Sequence, residues 1–303
     1  MKVEVVGTGF VGAACAYAMT LRGSCREIVL VDKNHERAAA EANDILHATP
    51  VSHAIKIRAG GFDDITGASV VVLAAGVNQA PGETRLALLA RNAAIFREIV
   101  PQVMRYAPEA VLIVATNPVD IMTALTENLA GKAARVFGTG TTLDTARFRA
   151  LLGEHAGVDA RHVHGYVVGE HGDSEVLAWS SVTVAGMDYK EFCRSRRIEF
   201  DAATIARIDD EVRHAAYKII AGKGATAFGI GAVIARLVET VLRKERAIHT
   251  VSAHSPLHSV ALSLPRLVGE AGVIDTIGVN LSPDENKKLE TSATVLRDFL
   301  AKL

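Results

Sequence analysis

Apolar residues in the first half of the chain form short continuous runs that are separated by longer, alanine-rich segments. The runs are rich in β-branched residues and cover residues 3–6, 28–31, 70–74 and 111–115. Such runs are typical of strands that are buried on both faces of a parallel sheet. The segments between them predict helices over residues 11–21, 36–46 and 85–106. Pro101 is expected to kink or divide the last of these helices.

Strands and helices that alternate in this way predict a doubly wound α/β domain with a parallel sheet, over residues 1–142. The rest of the chain, residues 143–303, has a less regular pattern and predicts a second, α+β domain that packs tightly against the first. Its expected helices cover residues 202–221 and 230–243, and its expected strands cover residues 248–253, 259–264 and 272–276. A final helix is expected after Ser282, which can form a capping box with Glu285.

Charge and cysteine content narrow the class of protein. The 303 residues include 33 Lys and Arg against 34 Asp and Glu, a net charge of −1, which argues against a nucleic-acid-binding protein. The three scattered cysteines suit neither a disulfide framework nor a thiolate metal site, and indicate reduced thiols in the cytoplasm. Because no apolar run approaches about 18 residues, no membrane span is expected.

A glycine motif follows the first predicted strand. Gly7, Gly9 and Gly12 give the spacing G-x-G-x-x-G, and the second predicted strand ends at Asp32. The glycines permit a tight turn and the approach of a pyrophosphate to the backbone, while the acid can accept hydrogen bonds from both ribose hydroxyls. The negative charge of Asp32 would repel a 2′-phosphate. The first domain is therefore predicted to be a Rossmann domain that binds NAD rather than NADP.

Four further segments contain polar residues in sequence contexts that suit loops and helix starts. They are VNQAPGETR at 77–85, ATNPVD at 115–120, LDTAR at 143–147 and GEHGDS at 169–174. Together with the glycine motif, these segments resemble the lactate/malate dehydrogenase family over nearly the whole chain, and within it the lactate-specific enzymes. The resemblance implies hydride transfer between NAD and a 2-hydroxy acid.

Oxidation of a 2-hydroxy acid requires a general base with a pKa near neutrality, and histidine is the natural choice. Among the eleven histidines, His171 lies in the glycine-containing GEHGDS segment. A buried histidine in this role needs its second ring nitrogen held, commonly by a carboxylate. The resemblance assigns the base to His171 and the carboxylate to Asp144. A histidine with a purely structural role is the simpler alternative.

The resemblance also assigns residues to the substrate. Arg147 would bind the substrate carboxylate through its planar guanidinium, and Arg85 would polarise the reacting carbonyl when a lid over residues 76–84 closes. Asn117, in a cis bond to the next proline, would donate to the substrate oxygen, and Thr226 would line the substrate site. Taken singly, the two arginines would be interpreted as a helix salt-bridge partner and a solvated loop charge.

The remaining contacts implied by the resemblance are with the cofactor. Beyond the glycines and Asp32, they are Phe10, Val11, Arg37, Gly76, Val77, Ala115, Thr116, Asn117 and Thr139. No metal is expected, because His162 and His164 share one face of a strand without a third ligand.

Gln79 bears on the choice between lactate and malate. A four-carbon diacid requires a cation opposite its distal carboxylate, and malate dehydrogenases of the family have arginine at the position of Gln79. The neutral amide favours lactate and pyruvate. A malate dehydrogenase or a broader 2-hydroxyacid dehydrogenase is the alternative enzyme, and an NAD-binding regulatory protein is the alternative that is not an enzyme.

Arg149 and His164 match positions that bind fructose 1,6-bisphosphate across a subunit interface in allosteric bacterial members of the family. Two copies facing each other across a two-fold axis would supply four cationic groups to the phosphates. The resemblance therefore implies a sugar bisphosphate effector and a homotetramer. The simpler interpretation is a surface arginine on a helix and a histidine on a strand.

Overall fold

The computed structural model describes residues 1–77 and 85–303, without the side chain of Arg85. These residues form strands and α-helices in the following order. The strands are β1 (Lys2–Val6), β2 (Glu27–Val31), β3 (Lys56–Ala59), β4 (Val70–Leu73), β5 (Val111–Val114), β6 (Arg135–Gly138), β7 (Val163–His164), β8 (Val167–Val168), β9 (Val176–Leu177), β10 (Thr183–Val184), β11 (Met187–Asp188), β12 (Ala247–Ser255), β13 (Val260–Gly269) and β14 (Gly272–Thr276). The helices are α1 (Phe10–Arg22), α2 (His35–Leu46), α3 (Arg85–Tyr106), α4 (Val119–Ala130), α5 (Thr142–Ala156), α6 (Tyr189–Arg196), α7 (Ala202–Arg213), α8 (Ala215–Lys223), α9 (Phe228–Leu242) and α10 (Pro283–Leu300).

One sheet runs through both halves of the chain. Among the described residues it has nine strands in the order β14-β13-β12-β6-β5-β4-β1-β2-β3. The strands from β6 to β3 are parallel, whereas β12, β13 and β14 pair antiparallel. The chain order reverses between β1 and β4, and ligands of doubly wound folds bind at the carboxyl ends of the strands at such a switch point.

Both faces of the sheet are covered, as the continuous apolar runs predict. Ile28 and Leu30 face the side covered by α1, α2 and α9, while Val29 and Val31 face the side covered by α3, α4 and α10. All four side chains are buried. The predicted α/β class, with a Rossmann first half, is confirmed. No helix in the described part of the chain has the length and apolarity that crossing a membrane would require.

Helix α3 covers the predicted residues 85–106 and is not divided at Pro101. Helices α4 and α6 lie in segments for which the sequence pattern predicted no helix. The helix predicted over residues 202–221 is instead two helices, α7 and α8, with His214 at the junction. At this junction Arg213 donates to the backbone oxygens of Asp173 and Glu175, and this tertiary contact fixes the end of α7.

The final helix begins as its sequence predicts. The Ser282 hydroxyl accepts from the backbone N–H of Glu285, and the Glu285 carboxylate accepts from the backbone N–H of Ser282. This reciprocal capping satisfies two backbone donors that a helix start otherwise leaves unpaired.

Helix α9 binds the second half of the chain to the first. It packs against α1 so closely that a Cβ at Gly231 would lie 2.8 Å from the carbonyl carbon of Ala14. At the far end of the contact, the buried carboxylate of Glu239 accepts hydrogen bonds from Arg22 and Ser24. The second half is therefore held to the Rossmann half by a helix pair as well as by the shared sheet.

Candidate active site

The glycine loop between β1 and α1 has the shape that its sequence predicts. Gly7 has a φ of +97°, and a Cβ there would lie 2.3 Å from the backbone nitrogen of Ala75. A Cβ at Gly12 would lie 1.9 Å from the carbonyl oxygen of Gly7, so the start of α1 lies directly against the turn. Above Gly9, by contrast, there is open space. The first turn of α1 contains no acidic residue, and its N–H groups suit a bound phosphate.

Asp32 lies at the end of β2 beside this loop. Its Oδ2 accepts from the backbone N–H and the hydroxyl of Thr8, at 2.7 and 3.1 Å, and its Oδ1 accepts from the N–H of Asn34 at 2.9 Å. Burial opposes ionisation, but these hydrogen bonds outweigh it and lower the pKa of Asp32. A carboxylate held ionised next to an open glycine turn fits the ribose and pyrophosphate of a dinucleotide.

The other expected cofactor contacts lie on or near the same edge of the sheet. Phe10 and Val11 begin α1, and Arg37 lies in the first turn of α2. Gly76 and Val77 follow β4, Ala115 and Thr116 follow β5, and Thr139 follows β6. The Thr116 hydroxyl donates to the Ala75 oxygen, which joins the segments after β4 and β5, and the Val77 N–H donates to the side chain of Asn92 on α3.

His171 and Asp144 come together from different parts of the second half. Asp144 lies in the first turn of α5, and His171 lies in the loop after β8. The Nδ1 atom of His171 is 2.6 Å from Oδ2 of Asp144. The backbone N–H of His171 donates to Oδ2 of Asp120, at 2.7 Å, which fixes the loop as well as the ring.

The charges of this pair support one another. The second carboxylate oxygen of Asp144 accepts from Nη1 of Arg147 at 2.7 Å. Burial would raise the pKa of Asp144, but His171 and Arg147 outweigh it and lower that pKa. Burial would likewise lower the pKa of His171, whereas the Asp144 carboxylate raises it to about 9. The pair therefore favours an imidazolium that carries a proton at neutral pH.

A cavity of about 220 Å³ lies in front of the imidazole. His171, Arg147 and Asn117 line it, and the His171 side chain is 25% exposed there. The Asn117–Pro118 peptide bond is cis, as expected. The cavity thus contains an imidazole whose protonated form is favoured, a guanidinium and an amide, which are the groups that an anionic oxo acid requires.

The other expected residues are placed differently or lie outside the described residues. Gln79 and the side chain of Arg85 lie outside the described residues. Thr226 is half-buried in the loop between α8 and α9, and it is not among the residues that line this cavity. Arg149, on α5, donates through Nε to the backbone oxygen of Gly165, next to the exposed His164 on β7.

Three residues around the cavity have no role predicted from the sequence. Asp120 is buried and positions the His171 backbone, Glu175 is buried beside the His171–Asp144 pair, and Arg213 lines the cavity from α7. The signal for Glu175 is an acid directly before the apolar pair that forms β9. Arg213 has no comparable local signal, because only tertiary packing brings α7 to the cavity.

Comparisons with known proteins extend over nearly the full chain. Residues 1–138 match the family model described as lactate/malate dehydrogenase, NAD binding domain, and residues 141–303 match its alpha/beta C-terminal domain. An L-lactate dehydrogenase of Chloroherpeton thalassium is 57% identical over 302 residues, covering 99% of each chain, and one of Deinococcus radiodurans is 56% identical over 303 residues, covering 100% of this chain and 99% of the other. The crystal structure of a minor L-lactate dehydrogenase from Enterococcus mundtii, in a ligand-bound form, superposes with a TM-score of 0.96 at 41% identity, covering 100% of this chain and 98% of that one. The NAD-binding half, the α/β second half and the full-length similarity lead to one conclusion: this chain belongs to the lactate/malate dehydrogenase family.

Proposed function

We propose that this protein is an NAD-dependent L-lactate dehydrogenase that interconverts (S)-lactate and pyruvate. The observation that carries the proposal is the hydrogen-bonded pair of His171 and Asp144 at the wall of the cavity. A protein that only bound NAD would have no need of a histidine held in this way. The relatives named L-lactate dehydrogenase, which match over the full chain, support the same activity.

Proton transfer is the task of His171. When bound, NAD supplies the hydride acceptor for lactate oxidation. The neutral imidazole of His171 takes the proton of the lactate hydroxyl, and the Asp144 carboxylate stabilises the imidazolium that results. In pyruvate reduction the imidazolium returns that proton to the carbonyl oxygen. The raised pKa of His171 favours the form that pyruvate reduction requires.

The cationic and amide groups of the cavity would orient the substrate. Arg147 lies on the same side of α5 as Asp144, and its guanidinium would bind the substrate carboxylate. The Asn117 amide would donate to the substrate oxygen, and Arg85 would polarise the reacting carbonyl. Thr226 would line the substrate site in the presence of ligand.

Gln79 is the proposed determinant of substrate choice. A neutral amide leaves the second carboxylate of oxaloacetate without a counter-charge, so pyruvate is favoured. A malate dehydrogenase is the alternative on the same scaffold. The ratio of kcat/KM for pyruvate to kcat/KM for oxaloacetate distinguishes the two enzymes.

The decisive assay follows NADH absorbance in the presence of pyruvate. We expect rapid NADH oxidation by the wild-type protein and a loss of about 10³-fold in kcat for His171→Ala, with NADH binding retained. An NAD-binding regulatory protein would show no turnover at all. A fully active His171→Ala variant would show that another group transfers the proton.

The boundary between the two domains is proposed at residue 142, where α5 begins. This position places His171, Asp144 and Arg147 in the substrate domain, 143–303. The glycine loop and Asp32 then belong to the NAD-binding domain, 1–142.

A fructose 1,6-bisphosphate effector site is proposed at Arg149 and His164. Arg149 is half-buried, its pKa is lowered by burial, and its guanidinium lies 5.4 Å from the Tyr166 ring. A buried cation of this kind is stabilised by an added phosphate. The site requires two subunits across a two-fold axis, and we propose a cytoplasmic homotetramer.

The effector proposal is tested by titrating fructose 1,6-bisphosphate at subsaturating pyruvate. We expect a lower apparent KM for the wild-type protein and a much weaker response for Arg149→Gln. Sedimentation with and without the effector gives the subunit number. An unchanged wild-type KM would exclude regulation through this site.

A further inference from the structure

Glu175 is a buried carboxyl group that the proposed proton transfer does not use. It lies directly before β9 with a relative exposure of 4%. Its backbone is fixed on both sides, because its N–H donates to the oxygen of Gly172 and its oxygen accepts from Nη1 of Arg213, at 3.1 and 2.6 Å. Its Oε1 has no hydrogen-bond partner among the described residues. A fixed backbone thus holds an unpaired carboxyl oxygen inside the protein.

This carboxyl group lies next to the catalytic pair. One carboxyl oxygen of Glu175, one of Asp144 and a ring nitrogen of His171 all lie within 4.8 Å of one another. Glu175 also belongs to the wall of the cavity. Any charge on Glu175 would therefore act directly on the ring that transfers the proton and on an anion bound in front of it.

The cations nearby are already engaged with other acceptors. Arg147 donates to Asp144. Arg213 forms an ion pair with Asp209, with Nε 2.6 Å from Oδ2, and donates to two backbone oxygens. An ionised Glu175 would thus be a second buried carboxylate beside Asp144, without a hydrogen bond at Oε1. Buried charges in such a position are costly, and one of two neighbouring carboxyl groups then keeps its proton.

The electrostatics agree with this geometry. Burial and the Asp144 carboxylate raise the pKa of Glu175 to about 8, while His171, Arg213 and Arg147 act in the opposite direction. Asp144 and Arg147 act from α5, Arg213 acts from α7, and His171 acts from the loop after β8. Burial and the neighbouring carboxylate therefore favour the neutral form of Glu175 at pH 7.

We propose that Glu175 is a positioning residue whose neutral form keeps the cavity suited to an anionic oxo acid and whose ionisation weakens the binding of that acid. This inference rests on the proposed pyruvate reduction. An ionised Glu175 places a negative charge in the wall of a site that must hold a carboxylate. The same charge stabilises the His171 imidazolium, so its main effect falls on substrate binding and not on the availability of the proton.

The expected signature is a second ionisation in the alkaline range. Pyruvate reduction requires the protonated form of His171, and by this inference the ionised form of Glu175 binds pyruvate too weakly to contribute to kcat/KM. The plot of log kcat/KM for pyruvate against pH should therefore approach a slope of about −2 above both pKa values. In Glu175→Gln one of the two ionisations is absent, and the slope should be about −1. In the wild-type protein, the part of the alkaline decrease in kcat/KM that is due to Glu175 should appear mainly as a rise in KM.

Glu127→Gln is the matched control. Glu127 is also a carboxyl group whose pKa is raised by burial, but it accepts from the His254 N–H near the end of α4 and does not line the cavity. We expect the wild-type profile from this variant. Glu175→Met, which is neutral and of similar length, checks that the effect comes from charge and not from the amide.

The outcomes separate the two proposals. A wild-type protein that does not reduce pyruvate contradicts the proposed function, whereas an active wild-type enzyme with an alkaline slope of about −1 overturns the role of Glu175 without any variant. An alkaline slope that remains at about −2 in Glu175→Gln or Glu175→Met also overturns the role of Glu175. NADH binding, measured by fluorescence, should be the same in all of these proteins.

Discussion

The Nδ1 atom of His171 and the Oδ2 atom of Asp144 lie 2.6 Å apart, and the carboxylate is itself held by Arg147. This contact assigns the Nδ1 proton to the Asp144 side and leaves Nε2 for the substrate. The backbone bond from His171 to Asp120 prevents the loop from shifting relative to α4. Orientation and charge of the ring are therefore set before any substrate binds.

Asp144→Asn should lower the pKa of His171 from about 9. The carboxylate favours the imidazolium, so its loss moves the His171 ionisation toward lower pH and shifts the alkaline limb of pyruvate reduction in the same direction. We expect kcat/KM for pyruvate at pH 7 to fall about 10²- to 10⁴-fold, because the ring also loses its orientation. Glu127→Gln serves as the control, and an alkaline limb at the wild-type position would contradict the assignment.

Asp32→Ser should relax the choice between NADH and NADPH. The carboxylate can accept hydrogen bonds from ribose hydroxyls, and hydrogen bonds to a charged group contribute about 1.5–3 kcal/mol. We expect the KM for NADH to rise about tenfold or more. The KM for NADPH should fall, since the charge that repels a 2′-phosphate is gone. Steady-state kinetics with both cofactors measure this change. An unchanged ratio of the KM for NADH to the KM for NADPH would show that Asp32 does not bind the ribose.

Gln79→Arg should shift preference toward oxaloacetate. The new guanidinium would supply the counter-charge that a second substrate carboxylate requires. We expect kcat/KM for oxaloacetate to rise and that for pyruvate to fall, with NADH binding unchanged. Gln79→Asn, which keeps a neutral amide, is the control. The same pyruvate-to-oxaloacetate ratio in both variants would show that this position does not contact the substrate side chain.

Glu4→Gln should make stability less dependent on pH. Glu4 lies in β1 and is fully buried, and Nζ of Lys2 lies 3.4 Å from its Oε1. Burial raises its pKa to about 8, from the ordinary glutamate value of 4.5. The folded state therefore binds this proton more tightly than the unfolded state does, and the protein loses stability as the pH rises from 4.5 to 8.

We expect the variant to lose about 4 kcal/mol less of its unfolding free energy across this range than the wild-type protein loses. Urea unfolding followed by circular dichroism at several pH values measures the difference. Glu175 and Asp120 contribute with the same sign in both proteins. The exposed Glu109 provides the control as Glu109→Gln, and equal pH dependence in the wild-type protein and Glu4→Gln would contradict this account.

Local sequence signals predicted the parts of the fold that depend on local chemistry. Gly7, Gly12 and Asp32 have the conformation and contacts that the motif requires, and Ser282 begins the last helix with its capping box. Continuous apolar runs predicted the central parallel strands, because burial on both faces leaves no alternation. Strands β3 and β6 were not predicted, since each is only four residues long and exposes its first residue.

The parts that were not predicted depend on contacts between distant segments. The division between α7 and α8 coincides with the contact of Arg213 with the loop at residues 173–175. The periodicity of apolar residues along a helix does not reveal such a contact. The position of Glu175 beside Asp144 likewise depends on how β9 and α5 pack. Family resemblance brought His171 and Asp144 together, whereas spacing along the chain could not have done so.

The antiparallel strands contributed by the second half have a mechanical consequence. β12 pairs with β6 at Ser252 and Gly138, and α9 packs along α1. A hinge opening between residues 1–138 and 141–303 would have to break the sheet and the Arg22–Glu239 ion pair together. The cavity therefore cannot exchange its contents by parting the two halves, and a fragment ending at residue 138 would expose the bare edge of β6 and the apolar side of α1 to water.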